Sequence, residues 1–169
     1  MEVILIVAVA KSNNGIGKNN DLLWHLPGDM KFFRQQTTGF PVITGRKNYE
    51  SIPEKFRPLP NRDNIIITRQ DINYPNAFVC NSLEAGIKLA KQKNSEKIYI
   101  IGGGQIYKQC LEQNLVNKML ITWVEADIEA DTYFPNFNLD KWEISMEKKN
   151  NPDEKNPYFY TFTEYILKK

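Results

Sequence analysis

Four segments of this chain are apolar at nearly every position: "VILIVAVA" (residues 3–10), "NIIIT" (64–68), "IYII" (98–101) and "MLITWV" (119–124). A strand with one face in water alternates apolar and polar side chains. A strand with no polar face must be covered on both sides, and a parallel sheet between two helical layers does this. The intervening stretches supply the helices, at residues 29–38, 47–52, 83–93 (with Ser82 as N-cap) and 105–112. The tail is patterned differently. Its segments "WEISMEKK" and "YFYTFTEYIL", joined by the polar "NNPDEKNP", read as antiparallel strands closing the sheet, with a solvated loop between them. The expected architecture is one α/β domain over residues 1–169, a doubly wound, mostly parallel sheet with an antiparallel C-terminal edge and helices on both faces. Ligands of such sheets bind beyond the carboxyl ends of the strands.

Composition narrows the function classes. A hydrophobic share of 41% and a charged share of 25% are those of a globular domain. The formal net charge of +2 argues against a nucleic-acid or membrane partner. The run "VILIVAVA" follows an acidic start without a positive region and is too short to span a bilayer. Cys80 and Cys110 have no second Cys or His at ligand spacing, so no metal site is expected and the usage is cytoplasmic.

The residues after the strands carry the chemistry. In "IIGGGQIYKQ", Gly102, Gly103 and Gly104 permit close backbone approach and open a helix whose N–H groups suit a diphosphate; a tight turn without ligand is the plainer reading. The ordinary dinucleotide fingerprint is excluded. It belongs after the first strand, where "KSNNGIGKNND" has Gly15 and Gly17 but Asn20 in place of a third glycine. Cations follow two other strands: Arg46 and Lys47 after Gly45, and Arg69 after Thr68. Singly these are surface residues. Together with the glycines they suggest a multiply phosphorylated ligand and favour NADP over NAD through a 2′-phosphate.

In "LLWHLPGDMKFFRQQT" (residues 22–37), Asp29 stands among large apolar side chains. On a helix, Asp29 and Phe33 share one face. Asp29 is then either a first-turn cap or an acceptor, walled by aromatics, for a flat ring with two adjacent N–H donors such as a 2-aminopyrimidine or pterin. Thr122 is a lone hydroxyl in "MLITWV", explained by strand propensity or by a bond to that carboxylate. His25, the only histidine, is assigned to a surface loop without a catalytic role.

In order and spacing, "VAVA", "GIGKNNDLLWHLPGDMKFF", "VITGRKNYESIP", "RPLPNRDNIIITR", "IIGGGQIY" and "EADTYFP" resemble dihydrofolate reductase along nearly the whole chain. The resemblance implies an eight-stranded sheet, NADPH as cofactor, and reduction of 7,8-dihydrofolate by hydride transfer to pterin C6 with protonation of N5. It implies Asp29 as the pterin-binding and proton-promoting carboxylate, Thr122 as its hydroxyl partner and Trp24 as the holder of an ordered water. For substrate it implies Ile6, Phe33, Ile52, Leu59 and Arg57, with Arg62 on the glutamate α-carboxylate. For cofactor it implies Ala8, a mobile loop of Ile16, Gly17, Lys18, Asn19, Asn20 and Asp21, the group Gly45, Arg46, Lys47, Asn48, Thr68 and Arg69, and the turn Gly102, Gly103, Gly104, Gln105, Ile106 and Tyr107. A cis Gly102–Gly103 peptide, a monomeric state and inhibition by diaminopyrimidine antifolates are further implications. Asn48 stands where the family commonly has threonine. Two other readings compete: a pyrimidine reductase of riboflavin synthesis, which needs neither Asp29 nor Arg62, and a non-catalytic nucleotide-binding module, which leaves the Asp29–Phe33 face idle.

Overall fold

The computed structural model describes residues 1–93 and 95–169. Its main sheet is built from β1 (Glu2–Ala10), β3 (Val42–Gly45), β4 (Asn64–Ile67), β5 (Phe78–Cys80), β6 (Lys97–Gly102), β7 (Lys118–Val124), β9 (Trp142–Asn150) and β10 (Tyr160–Leu167). These eight strands lie in the order β5-β4-β3-β6-β1-β7-β10-β9. Strands β1 and β3 to β7 pair in parallel. Strand β10 is antiparallel to both β7 and β9. The mostly parallel sheet and its antiparallel edge agree with the sequence expectation.

Strand period explains how the two helical layers attach. On β1, Val3, Leu5, Val7 and Val9 join Leu83 and Ile87 of α3 (Leu83–Lys91) and Ile106 and Cys110 of α4 (Gly104–Glu112) in one core. The alternate residues Ile4 and Ile6 face the other way, toward Phe32 and Phe33 of α1 (Pro27–Thr37). A strand apolar at every position therefore feeds two cores. The same parity puts Leu120, Thr122 and Val124 of β7 on the α1 side, and this brings Thr122 toward Asp29.

Helix starts differ from expectation by one or two residues. Pro27 begins α1 ahead of residue 29, since its fixed φ suits a first helical position. The short helix α2 (Arg46–Ser51) begins at Arg46. Ser82 caps α3 as expected, its Oγ accepting from the Ala85 N–H at 3.1 Å. Strand β5 and the ribbon of β2 (Gly15–Gly17) with β8 (Thr132–Tyr133) are not foreseen, being too short to show a period.

One loop differs from the plain solvated reading. Within the 150–157 connection Asn156 is buried, with 6% exposure, a burial whose cost its side-chain bonds to Gly28 and Asp153 offset. The Gly102–Gly103 peptide is cis, in agreement with the expectation, and so is Arg57–Pro58. Gly102 has φ +116°, and a Cβ there would lie 3.0 Å from the Tyr107 hydroxyl. Only glycine fits.

Candidate active site

Asp29 is the third residue of α1, and it does not act as the helix cap. The N-cap position is Leu26, without a side-chain cap bond. The Asp29 N–H is satisfied by the Leu26 carbonyl at 3.0 Å. The carboxylate turns to the sheet instead, where Oδ1 accepts from Thr122 Oγ1 at 2.7 Å. Thr122 is 2% exposed, so its hydroxyl has no competing solvent. Burial pushes the Asp29 carboxyl above the ordinary carboxylate range, and the Thr122 bond offsets part of this rise. Oδ2 accepts no hydrogen bond from the described residues. The result is a costly carboxylate with accepting capacity left over.

Its surroundings are apolar. Phe32 stacks on Phe162 at 4.1 Å between ring centroids. Phe33 and Leu59 pack at the edge of the cluster holding Ile6. Ala8 and Trp24 pack at the edge of the neighbouring cluster around Leu26 and Val124. Ile52 ends α2, its N–H bonded to the Tyr49 carbonyl at 3.1 Å. Nearby, Arg62 donates from Nη1 to Thr37 Oγ1 and from Nε to the Pro60 carbonyl, both at 2.9 Å. Burial and the neighbouring Arg34 guanidinium push its pKa down. Among the described residues neither arginine has a carboxylate partner. Arg57 lies over the Tyr49 ring at 5.5 Å and donates to the Tyr49 carbonyl at 3.4 Å. His25 is exposed, as its loop assignment expects.

The glycine turn is held from behind. Buried Thr44 donates to the Gly102 carbonyl at 3.0 Å. Asn48 donates to Thr44 Oγ1 at 2.9 Å and to the Ile101 carbonyl at 3.3 Å. The Asn48 amide thus supports the turn from the protein side. Gly103 is the N-cap of α4 and supplies no side-chain cap, so the N–H groups of Gly104, Gln105 and Ile106 are left to donate to a ligand. Buried Tyr107 donates to the Ile6 carbonyl at 2.8 Å, tying this helix to β1.

The loop carrying Ile16 to Asp21 is pinned against the segment 129–133. Gly15 and Gly17 pair with Tyr133 and Thr132. Lys18 bonds Glu129 at 3.1 Å, and the Asn19 N–H donates to Asp131 Oδ2 at 2.9 Å. Asn19 and Asn20 adopt φ of +53° and +59°, values that asparagine tolerates.

The cationic residues are arranged unequally. Arg46 is paired with Glu50 at 2.7 Å, and Tyr74 donates to the same carboxylate. Lys47 and Arg69 are exposed, and among the described residues neither has an ion-pair partner. Thr68 Oγ1 accepts from the Gln70 N–H at 3.1 Å and lines a cavity of about 380 Å³ with Cys80 and Asn81. A larger cavity of about 550 Å³, between α4 and Trp142, shares Gly104 and Tyr133 with the residues described for this site.

Thr44 and Asn156 escaped the sequence reading, as did Arg34 beside Arg62. Thr44 repeats the signal of Thr122, a hydroxyl inside an apolar strand, in "VITG". Asn156 and Arg34 carry no local signal, because their partners lie far away in sequence.

Residues 2–167 match the family described as dihydrofolate reductase. The chain is 40% identical over 158 residues to a dihydrofolate reductase of Haemophilus influenzae, covering 94% of each chain. It is 42% identical over 167 residues to one of Staphylococcus haemolyticus, covering 98% of this chain and 95% of that one. Its structure is similar to that of Enterococcus faecalis dihydrofolate reductase complexed with NADP(H) and RAB-propyl. The TM-score there is 0.90 at 30% identity, with 99% of this chain and 97% of that chain covered. The chain belongs to the dihydrofolate reductase family of NADP-dependent oxidoreductases.

Proposed function

We propose that this chain reduces 7,8-dihydrofolate to 5,6,7,8-tetrahydrofolate with NADPH, and that Asp29 is the catalytic carboxylate. The observation that carries the reading is the Asp29–Thr122 bond, on the face of the sheet where Phe32, Phe33, Ile6 and Leu120 pack. Thr122 fixes one carboxylate oxygen, so Asp29 presents a defined edge to the pterin ring nitrogen and exocyclic amine. That pairing orients the ring and raises the proton affinity at N5, where Trp24 stands ready to hold a water as proton carrier. Phe33, Ile52 and Leu59 enclose the benzoyl part, and Arg62, backed by Arg34, receives the glutamate carboxylate.

The chain also fits its cofactor. Gly102 leaves no room for a side chain, the start of α4 offers N–H groups, and Arg69 is exposed beside the Thr68 cavity. NADPH supplies the hydride. Its diphosphate belongs at Gly103 to Ile106 and its 2′-phosphate at Arg46, Thr68 and Arg69, while Ile16 to Asp21 shields the site from water. Asp29 equally suits protonated diaminopyrimidine inhibitors, which present two donors to one carboxylate. The enzyme acts as a cytoplasmic monomer. No described helix is long and apolar enough to cross a membrane. Mixing protein, NADPH and dihydrofolate should bleach the nicotinamide absorbance. Binding of NADPH without turnover would leave only a nucleotide-binding module.

A further inference from the structure

The helix that carries Asp29 lacks a local cap. Its N-cap is Leu26 and its first residue is Pro27, which has no N–H. The N–H groups of Asp29 and Met30 both reach the Leu26 carbonyl, each at 3.0 Å. One donor of the first turn remains, that of Gly28. It is satisfied from 128 residues away, by Oδ1 of Asn156 at 2.9 Å.

Asn156 is built to stay there. Its Nδ2 donates to both oxygens of Asp153, at 3.0 and 3.2 Å. Its own N–H and that of Lys155 donate to Asp153 Oδ1, and its carbonyl accepts from the Asp153 N–H. The buried Tyr160 hydroxyl also stands against Gly28, where a Cβ would overlap it. The first turn of α1 is therefore held at Gly28 by the β9–β10 connection and packed there against β10. Asp29 is the next residue along.

We propose that Asn156 is a positioning residue for Asp29, acting as a long-range N-cap that fixes the first turn of α1 at the dihydrofolate pocket. Without its acceptor the Gly28 N–H must find water, and the turn that aims the carboxylate frays. The NADPH cradle rests on β3, β6 and α4 and does not depend on this contact. The inference rests on the proposed role of Asp29, so its test is read relative to wild type, whose own turnover checks that role separately.

In Asn156→Ala, kcat/KM for dihydrofolate should fall about three- to tenfold, the effect of losing one cap bond. The dissociation constant for NADPH should stay within about twofold of wild type on the same argument. In an Asp29→Asn background the same change should cost nothing further, because Asn156 acts through Asp29. Asp153→Asn, on the exposed side of the clamp, should act in the same direction more weakly and serves if Asn156→Ala does not fold. An unchanged kcat/KM overturns the proposal, as does an equal loss in the Asp29→Asn background. Weakening of NADPH in parallel also overturns it, since that pattern marks a general loss of structure.

Discussion

Replacing Asp29 by Asn should make the protein more stable at neutral pH and far slower as an enzyme. A hydrogen bond to a charged group returns about 1.5–3 kcal/mol, while removing a carboxylate from water costs several kcal/mol. Asp29 has one such bond, from Thr122, and its pKa is raised, so the desolvation wins. A folded-state pKa above the unfolded value means that the folded protein binds the proton more tightly. The stability tied to that proton is fully present below the unfolded pKa and is lost as pH rises through the folded one. Above the titration of the carboxyl, wild type bears the cost of a buried charge, whereas the amide bears only the smaller cost of a buried neutral polar group. Because Asp29 lines a pocket wall, the gain is about 1 kcal/mol, or roughly 2–4 °C in Tm for a domain of this length. The advantage should shrink as pH falls through the carboxylate range. Meanwhile kcat/KM should drop by roughly 10²–10⁴, the range for a positioned proton-transfer group. Hydride transfer should recover partly at low pH, where N5 is protonated without help. Thermal melts of the ligand-free proteins between about pH 4 and 8, a window spanning the carboxylate titration, test the first half, and single-turnover rates over the same range test the second. A mutant no more stable than wild type at pH 7 refutes the desolvation argument, and near-wild-type rates at neutral pH refute the catalytic one.

NADPH should be preferred to NADH by at least about tenfold in kcat/KM, and Arg69→Ala should narrow that ratio, since each charge-assisted bond is worth about 1.5–3 kcal/mol. Steady-state comparison of the two cofactors decides this; equal use by wild type ends the idea. Arg62→Ala should raise KM for dihydrofolate with less change in kcat, whereas turnover of a dihydropterin lacking the glutamate should not respond to the substitution. Thr44→Val removes the donor to the Gly102 carbonyl and the acceptor for Asn48, at a cost of about 1–3 kcal/mol in stability. Calorimetry should show that loss, and titration should show weaker NADPH binding with dihydrofolate binding less affected.

The sheet and its two-sided cover were legible in the residues alone, because runs such as "VILIVAVA" can be buried in few other ways. So were the glycine turn, where Gly102 adopts a φ closed to other side chains, and the cap of α3 at Ser82, whose partner is three residues away. These are local properties, set by backbone sterics and strand period. What Asp29 is depends on folding. The first turn of a helix offers a carboxylate a cap bond, and only the parity of β7 placed the Thr122 hydroxyl close enough to claim it instead. The direction of the Asp29 pKa likewise depends on burial by elements far apart in the chain. The short ribbon of β2 and β8, the bond from Asn48 to the Ile101 carbonyl and the reach of Asn156 to Gly28 belong to the same class. Each is a hydrogen bond between residues whose proximity is created by folding, and hydrogen bonds of that kind leave no period in the sequence that forms them.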